Sequence, residues 1–415
     1  MTQTDVLVTN EVVLNLEELL KKLGTRNYII NISAGTIKGD NFLGVIAKVQ
    51  VTGETATGEH VIQNFIVKSA PRNENFRMFA PVHAAYEREI YIYSKVLPAF
   101  LKLQNDRGIQ NPFRSYAKYY DSSVADMNEA LIMEDMKEYG FKLHDRHRPL
   151  DYNHTLLVLR EYGKFHALSF ALRDQEPKIF AELAEETQEN FFNGMNSTEL
   201  HNSFQSQSER ALNALHPITH KFAHEKFKKF QNNMTDVINA AVKSDLSDPY
   251  SVIGHGDCWI NNFLFKYDDT NRVPLEMCIL DWQLARLGSP ALDLGYFLFT
   301  CTSKELRDEK YNSLIQEYYK SFRSFLKELG SDADKLFPFD VLQEHLKKYC
   351  VYGLCMAVIV LLILISDTEE IPDIHNISSN EHVMDKLNYE PKNIEVYNSR
   401  VRDIIFDFIK LGYNF

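Results

Sequence analysis

Two short stretches carry acidic and amide side chains where phosphoryl transfer would need them. In Val252-Ile253-Gly254-His255-Gly256-Asp257-Cys258-Trp259-Ile260-Asn261-Asn262, Asp257 falls in a small turn after an apolar strand, and Asn262 follows where the chain re-enters a strand. One carboxylate and one amide oxygen can then converge on a point. The carboxylate can orient and deprotonate an attacking hydroxyl, while the amide oxygen suits Mg2+, a hard cation that neutralises phosphate charge. Taken alone, the same spelling also describes a capped turn with a hydrogen-bonded aspartate. The second stretch, Cys278-Ile279-Leu280-Asp281-Trp282-Gln283, ends an apolar strand on another carboxylate and leads into Gly288-Ser289-Pro290 and Asp293-Leu294-Gly295. Two loops now direct acids at one site, which favours the catalytic reading, with Asp257 as base and Asn262 on the metal.

Earlier in the chain, Lys68 ends the strand Phe65-Ile66-Val67, and Glu89 lies on the apolar stripe of the next helix with Tyr86, Ile90 and Tyr93. A charge on an apolar stripe is costly unless paired. An ion pair between Glu89 and Lys68 would explain both residues and aim the ammonium at nucleotide phosphates; Glu87, one face over, is the competing partner. The turn Gly35 to Phe42, with Gly39, Asp40 and Asn41, is able to bring backbone N–H groups close to phosphate oxygens. Gly39 to Gly44 has P-loop glycine spacing, but Val45-Ile46 follows in place of Lys-Ser/Thr, which excludes a Walker A loop. Met133-Glu134-Asp135-Met136 is a polar exit from a strand. Cys258 reads as a small buried group and His166 as a core histidine.

The elements that must position these residues fall into two regions. Tyr28 to Ile32, Phe42 to Val51 and Val61 to Val67 are β-branched or aromatic runs separated by glycines, an antiparallel meander. Helical periodicity follows from Phe79 to Val96, limited by Pro98, and then two strands at Tyr116 to Tyr120 and Ala130 to Met133. Beyond them the pattern is mainly helical, at Thr155 to Leu172, Phe222 to Val242, Lys304 to Leu329, Val341 to Ile365 and Asn393 to Leu411. Short strands at Ser251 to Ile253, Phe263 to Tyr267 and Met277 to Leu280 interrupt this part.

The 415 residues, 45% hydrophobic and 25% charged, fit a folded globular chain of more than one compact unit. A net charge of -12 argues against broad contact with nucleic acid or an anionic membrane. Five cysteines without a CxxC pair suggest free thiols in a reducing, cytoplasmic compartment rather than zinc or disulfides. No secretory signal is visible, and Gly353 to Ile365 is too short to span a bilayer and reads as a buried helix.

The chain resembles the choline- and aminoglycoside-type kinases of the protein-kinase-like superfamily, and more closely the ecdysteroid kinase-like family. That family's run His-Gly-Asp-Cys-Trp-x-Asn-Asn, then Asp-x-Gln, then Ser-Pro-x-x-Asp-Leu, is reproduced at His255 to Asn262, Asp281 to Gln283 and Ser289 to Leu294. By this resemblance Asp281 matches the metal-binding Asp of these kinases and would join Asn262 on the metal, although Trp282-Gln283 stands where protein kinases have Phe-Gly. The resemblance covers nearly the whole chain. It implies an α+β, two-lobed protein-kinase-like fold, with a small antiparallel β lobe at 1–136 and a larger, mainly helical catalytic and substrate-binding lobe at 137–415. It places Gly39, Asp40 and Asn41 over the nucleotide, Glu134 and Met136 at a hinge facing adenine, and gives His255 a backbone-bonding role. ATP and Mg2+ would be the cofactors, and the γ-phosphoryl group would pass to a hydroxyl of a small, apolar, ecdysteroid- or sterol-like alcohol. A monomer without nucleic-acid partner or membrane span is expected. A choline- or aminoglycoside-type kinase, with a cage for a cation, and a non-catalytic ligand-binding protein of kinase fold are the alternatives. Pocket lining distinguishes the first and ATP turnover the second.

Overall fold

The computed structural model describes residues 7–35, 44–195, 197–270, 272–373, 386 and 388–415. Gly39, Asp40 and Asn41 therefore lie outside the described residues. The N-terminal lobe is an antiparallel sheet of β1 (Arg26–Ala34), β2 (Val45–Glu54), β3 (His60–Ser69), β4 (Tyr119–Ser123) and β5 (Ala130–Glu134), in the order β1-β2-β3-β5-β4. Alternation along β2 buries Ala47, Val49 and Val51 on one face. A helix that periodicity had not singled out, α1 (Asn10–Lys22), covers that face with Val12, Leu16, Leu19 and Leu20. Its start is marked by Thr9, whose hydroxyl accepts from Val12 N–H.

After β3 come α2 (Glu74–Phe79) and α3 (Val82–Tyr91). The helical path continues past Pro98, where sequence reading ended it: a π turn at Ile92–Val96 leads into α4 (Leu97–Asp106) with Pro98 in its first turn. The residues just before Pro98 are already helical, so the N–H that proline lacks is absorbed at the π turn and does not end the helix.

The chain leaves β5 through a 3₁₀ turn, Met136–Tyr139, in which Asp135 Oδ1 accepts from Lys137 N–H. The C-terminal lobe follows. Its short strands are β6 (Lys142–Leu143), β7 (Val252–Gly254), β8 (Phe263–Tyr267), β9 (Pro274–Ile279) and β10 (Arg286–Gly288), arranged as β6-β8-β9 and β10-β7. The main helices are α5 (Tyr152–Gln175), α6 (Pro177–Glu185), α7 (Ser197–Asn213), α8 (Lys221–Gln231), α9 (Met234–Val242), α10 (Pro290–Cys301), α11 (Lys304–Glu328), α12 (Phe339–Tyr349), α13 (Val351–Ile365) and α14 (Ile394–Leu411).

Two segments read as single helices are divided. Asn232-Asn233 separates α8 from α9, and the Asn233 amide turns back to bond Lys229 O, the competition with helix backbone expected of asparagine. Between α12 and α13 the path bends by 47° at Cys350. There α13 leaves the amphipathic course of α12 and lies directly on α10: a Cβ on Gly353 would overlap the backbone of Gly295. No single helix among the described residues is long and apolar enough to cross a membrane. The apolar α13 is instead buried in the main core, against α10 and α14.

Candidate functional site

Three of the residues singled out by sequence meet at a buried ion cluster between the lobes. Strand β3 delivers Lys68, only 2% exposed, and α3 delivers Glu89, fully buried. Lys68 Nζ lies 2.6 Å from Glu89 Oε2 and 2.9 Å from Asp281 Oδ1. Glu87 instead points outward to His83, 3.3 Å away. Burial would lower the Lys68 pKa, but Asp281 and Glu89 together outweigh it and hold the ammonium above its usual value. Burial drives the Glu89 carboxyl the other way, upward, with Lys68 opposing. Glu89 also receives a bond from the backbone N–H of Trp282, 3.3 Å away, so one carboxylate fixes both Lys68 and the loop after β9.

Asp281 adopts φ +63°, a left-handed conformation uncommon outside glycine, asparagine and aspartate. This turn sets its carboxylate toward Lys68. On the neighbouring loop, Asn262 Nδ2 donates to both Asp257 O (2.9 Å) and Asp257 Oδ2 (2.8 Å), leaving the amide oxygen available as an acceptor. Leu280 N–H bonds Asn262 O at 2.9 Å, which brings the Asn262 and Asp281 loops side by side. An amide oxygen and a carboxylate on adjacent loops, both lining one cleft, form a donor set that fits Mg2+.

Asp257 accepts Tyr296 O–H at Oδ1 (2.9 Å) as well as Asn262 at Oδ2. Burial, reinforced by the charge of Asp281, pushes its pKa up to about 7, against the lowering effect of these two donors. The turn carrying Asp257 is fixed from several directions. Asp293, in the first turn of α10, accepts the backbone N–H groups of His255 and Gly256, each at 2.8 Å, and also His166 Nε2 at 3.1 Å. Gly256 has φ +82°, and a Cβ there would overlap Leu284 O, so this position requires glycine. His255 Nε2 contacts the carbonyls of Leu280 (2.9 Å) and Asp281 (3.0 Å), and its Nδ1 lies 3.1 Å from Tyr162 O–H. Two carbonyl acceptors assign the proton to Nε2, making His255 a tie between the two acidic loops. Tyr352 O–H completes the support with a 2.8 Å bond to Gly256 O.

The cleft has an apolar end and a charged end. Ile46 and Ile66 line it from the sheet, Leu143, Leu264 and Leu280 from the larger lobe, and Lys68, Glu89, Asn262 and Asp281 close the far side. Glu134 and Met136 line its rim where the lobes connect, and Tyr139 O–H holds the Glu134 carboxylate at 2.7 Å. Sequence reading gave no role to Tyr296, Tyr352 or Arg286, which surround the Asp257 turn, and quoted Asp293 only as part of a motif. Asp293 did carry a signal, as an acid at the head of an apolar helix. The tyrosines were indistinguishable from core residues. Cys258 is buried, its thiol pKa pushed up by desolvation, and His166 is a fully buried histidine bonded to Asp293 and Tyr318.

The sequence profile of the ecdysteroid kinase-like family matches residues 38–331. The chain is also similar to 4-hydroxytryptamine kinase of Psilocybe cyanescens, 34% identical over 74 residues, which are 17% of this chain and 20% of the relative. The Psilocybe cubensis enzyme of the same name is 35% identical over 65 residues, 15% and 18% of the two chains. The matches thus span about a fifth of the length of these relatives. Among solved structures, the GDP complex of wild-type aminoglycoside 2'-phosphotransferase-IIIa aligns over 90% of this chain and 98% of that one, at 12% identity and a TM-score of 0.37.

Proposed function

The chain belongs to the ecdysteroid kinase-like family, and from that premise we propose that it is a small-molecule kinase that moves the γ-phosphoryl group of ATP to an alcohol hydroxyl. The observation that carries this reading is that Lys68, paired with both Glu89 and Asp281, lines one cleft with Asn262, which is itself tied to a partly buried Asp257.

In this reading residues 1–136 form the nucleotide-binding lobe and 137–415 the catalytic and substrate-binding lobe. Adenine lies between the apolar walls, against the backbone near Glu134 and Met136, and the Lys68 ammonium faces the phosphates. Asn262 and Asp281 would hold Mg2+, which supplies charge neutralisation at the phosphate oxygens. Asp257 accepts the proton of the attacking hydroxyl at a carboxylate oxygen, while the Tyr296 and Asn262 bonds keep that carboxylate from rotating. The turn Gly39-Asp40-Asn41 would cover the phosphates. The preferred acceptor is an ecdysteroid or similar sterol-like alcohol. The family's name supports it, and the acceptor in the fungal relatives' name also carries a hydroxyl. Five buried, unpaired cysteines agree with work in the reducing cytoplasm.

The test is turnover: the full chain with MgATP and, separately, ecdysteroids, sterols, hydroxylated aryl amines, choline and aminoglycosides, with ADP and phosphorylated product measured. Product from the sterol-like set, absent in Asp257→Asn, is the expected result. Product from choline or an aminoglycoside alone would replace the proposed acceptor class. ADP at the level of the blank with every acceptor would leave a ligand-binding protein of kinase fold.

A further inference from the structure

The residue next to Glu89 spans the two lobes. Arg88 is 5% exposed, and its guanidinium donates from Nη1 to Glu186 O and from Nη2 to Gln188 O, both at 2.6 Å. These carbonyls belong to the larger lobe, in the segment that follows α6. Burial pulls the Arg88 pKa down to about 10, so the cation persists at neutral pH. A buried cation held by carbonyls is a costly way to fill space. What it provides is a planar fork that fixes distance and angle together, which lysine or an apolar side chain lacks.

The segment gripped by Arg88 leads to the Asp257 turn. Thr187 O accepts Leu287 N–H at 2.7 Å, and Glu189 N–H bonds Ser244 Oγ, which itself donates to Leu287 O. The segment is thereby pinned to β10. Glu189 Oε2 lies 3.1 Å from Arg286 Nε, with both side chains almost fully buried. The Arg286 guanidinium sits 5.3 Å from the Phe192 ring centroid and 5.0 Å from that of Tyr352. Tyr352 bonds Gly256 O and packs edge-on against Tyr296, the residue that bonds Asp257.

From this continuity we infer that Arg88 is a positioning residue. It locks the Glu89 helix to the segment 186–192, and through Glu189 and Arg286 couples the placement of Lys68 to that of the Asp257 turn. The inference rests on the kinase reading for its effect on turnover, but the mechanical link is a property of the fold.

The test uses full-length Arg88→Met, Arg88→Lys, Glu189→Gln and the Arg88→Met/Glu189→Gln double variant. Three readouts are taken: backbone hydrogen exchange, MgATP affinity by titration, and kcat on an accepted alcohol. Arg88→Met is expected to raise exchange at least about tenfold in both 82–96 and 186–192, while α5 and α11 keep wild-type protection. MgATP affinity and kcat should each fall at least about tenfold. Arg88→Lys, which cannot span both carbonyls, should fall between, and it supplies the answer should the methionine variant not fold. The double variant should lose less than the product of the single losses. Unchanged exchange in 82–96, multiplicative losses, or protection lost equally in α5 and α11 would each overturn the coupling. A wild-type protein that binds no MgATP would refute the kinase reading, and the exchange results would still decide the latch.

Discussion

Asp257 is partly buried next to another acid, and desolvation together with the charge of Asp281 raises its pKa to about 7. A carboxylate in this setting is a better proton acceptor than one in water. Asp257→Asn preserves the shape that Tyr296 and Asn262 contact while removing the acceptor. MgATP affinity should stay near wild type and kcat should fall by at least about 100-fold; a near-normal kcat would take proton acceptance away from Asp257. The Lys68 cluster makes a second prediction. Lys68→Met and Glu89→Gln should each lower kcat/KM, and the double variant should lose less than the sum in free energy, because the residues share one bond of 2.6 Å. Glu87→Gln, on the outward face, should be silent. Strictly additive losses would mean that Glu89 acts independently of Lys68. Spacing within a few residues was enough to nominate Asp257, Asn262 and Asp281. The choice between Glu87 and Glu89 needed the helix placed against the sheet, since both lie within one turn of the apolar stripe.

At the level of elements, α10 does more than bury its twelve residues. Ser289 caps it and Pro290 opens it, the expected start of a helix, and Asp293 in its first turn receives the backbone of the Asp257 turn. Hydrogen bonds from His166 and from backbone N–H groups, overcoming burial, hold the Asp293 pKa at about 2, below the ordinary aspartate value. A carboxyl depressed in the folded state adds stability that is present above about pH 4 and disappears as pH falls toward 2; the shift is worth roughly 2 kcal/mol. Wild-type stability, measured by denaturant unfolding at a series of pH values, should therefore fall more steeply below pH 4 than that of Asp293→Asn. Parallel acid limbs in the two proteins would assign the acid sensitivity to other groups. Helix α10 is not among the helices read from the sequence, although Ser289-Pro290 and the apolar run mark its start, whereas the break between α12 and α13 has no such local mark. That bend follows from the close approach of Gly353 to Gly295, two residues that are far apart in the chain.

Across the whole molecule, a five-stranded sheet with its helices faces a larger helical lobe, and the ionic cluster sits where they meet. All five cysteines are buried, and burial raises the thiol pKa of each. Native protein should accordingly react with none of its thiols at pH 8 over the time that full denaturation exposes all five, as counted by a chromogenic disulfide reagent. Prompt labelling of any one would reveal local opening around it. The sequence by itself determined the meander followed by helices, and the local turns that pair Asp257 with Asn262 and set Asp281 at a strand end. Such features depend on backbone geometry over a few residues, which residue type dictates directly. Only tertiary structure decided that Lys68 meets Asp281, that Arg88 reaches Gln188 O 100 positions away, and that Tyr352 bonds Gly256 O across 96. Those pairs are set by which apolar faces pack together and how closely, and no short spelling encodes the relative placement of elements that meet only once the core has formed.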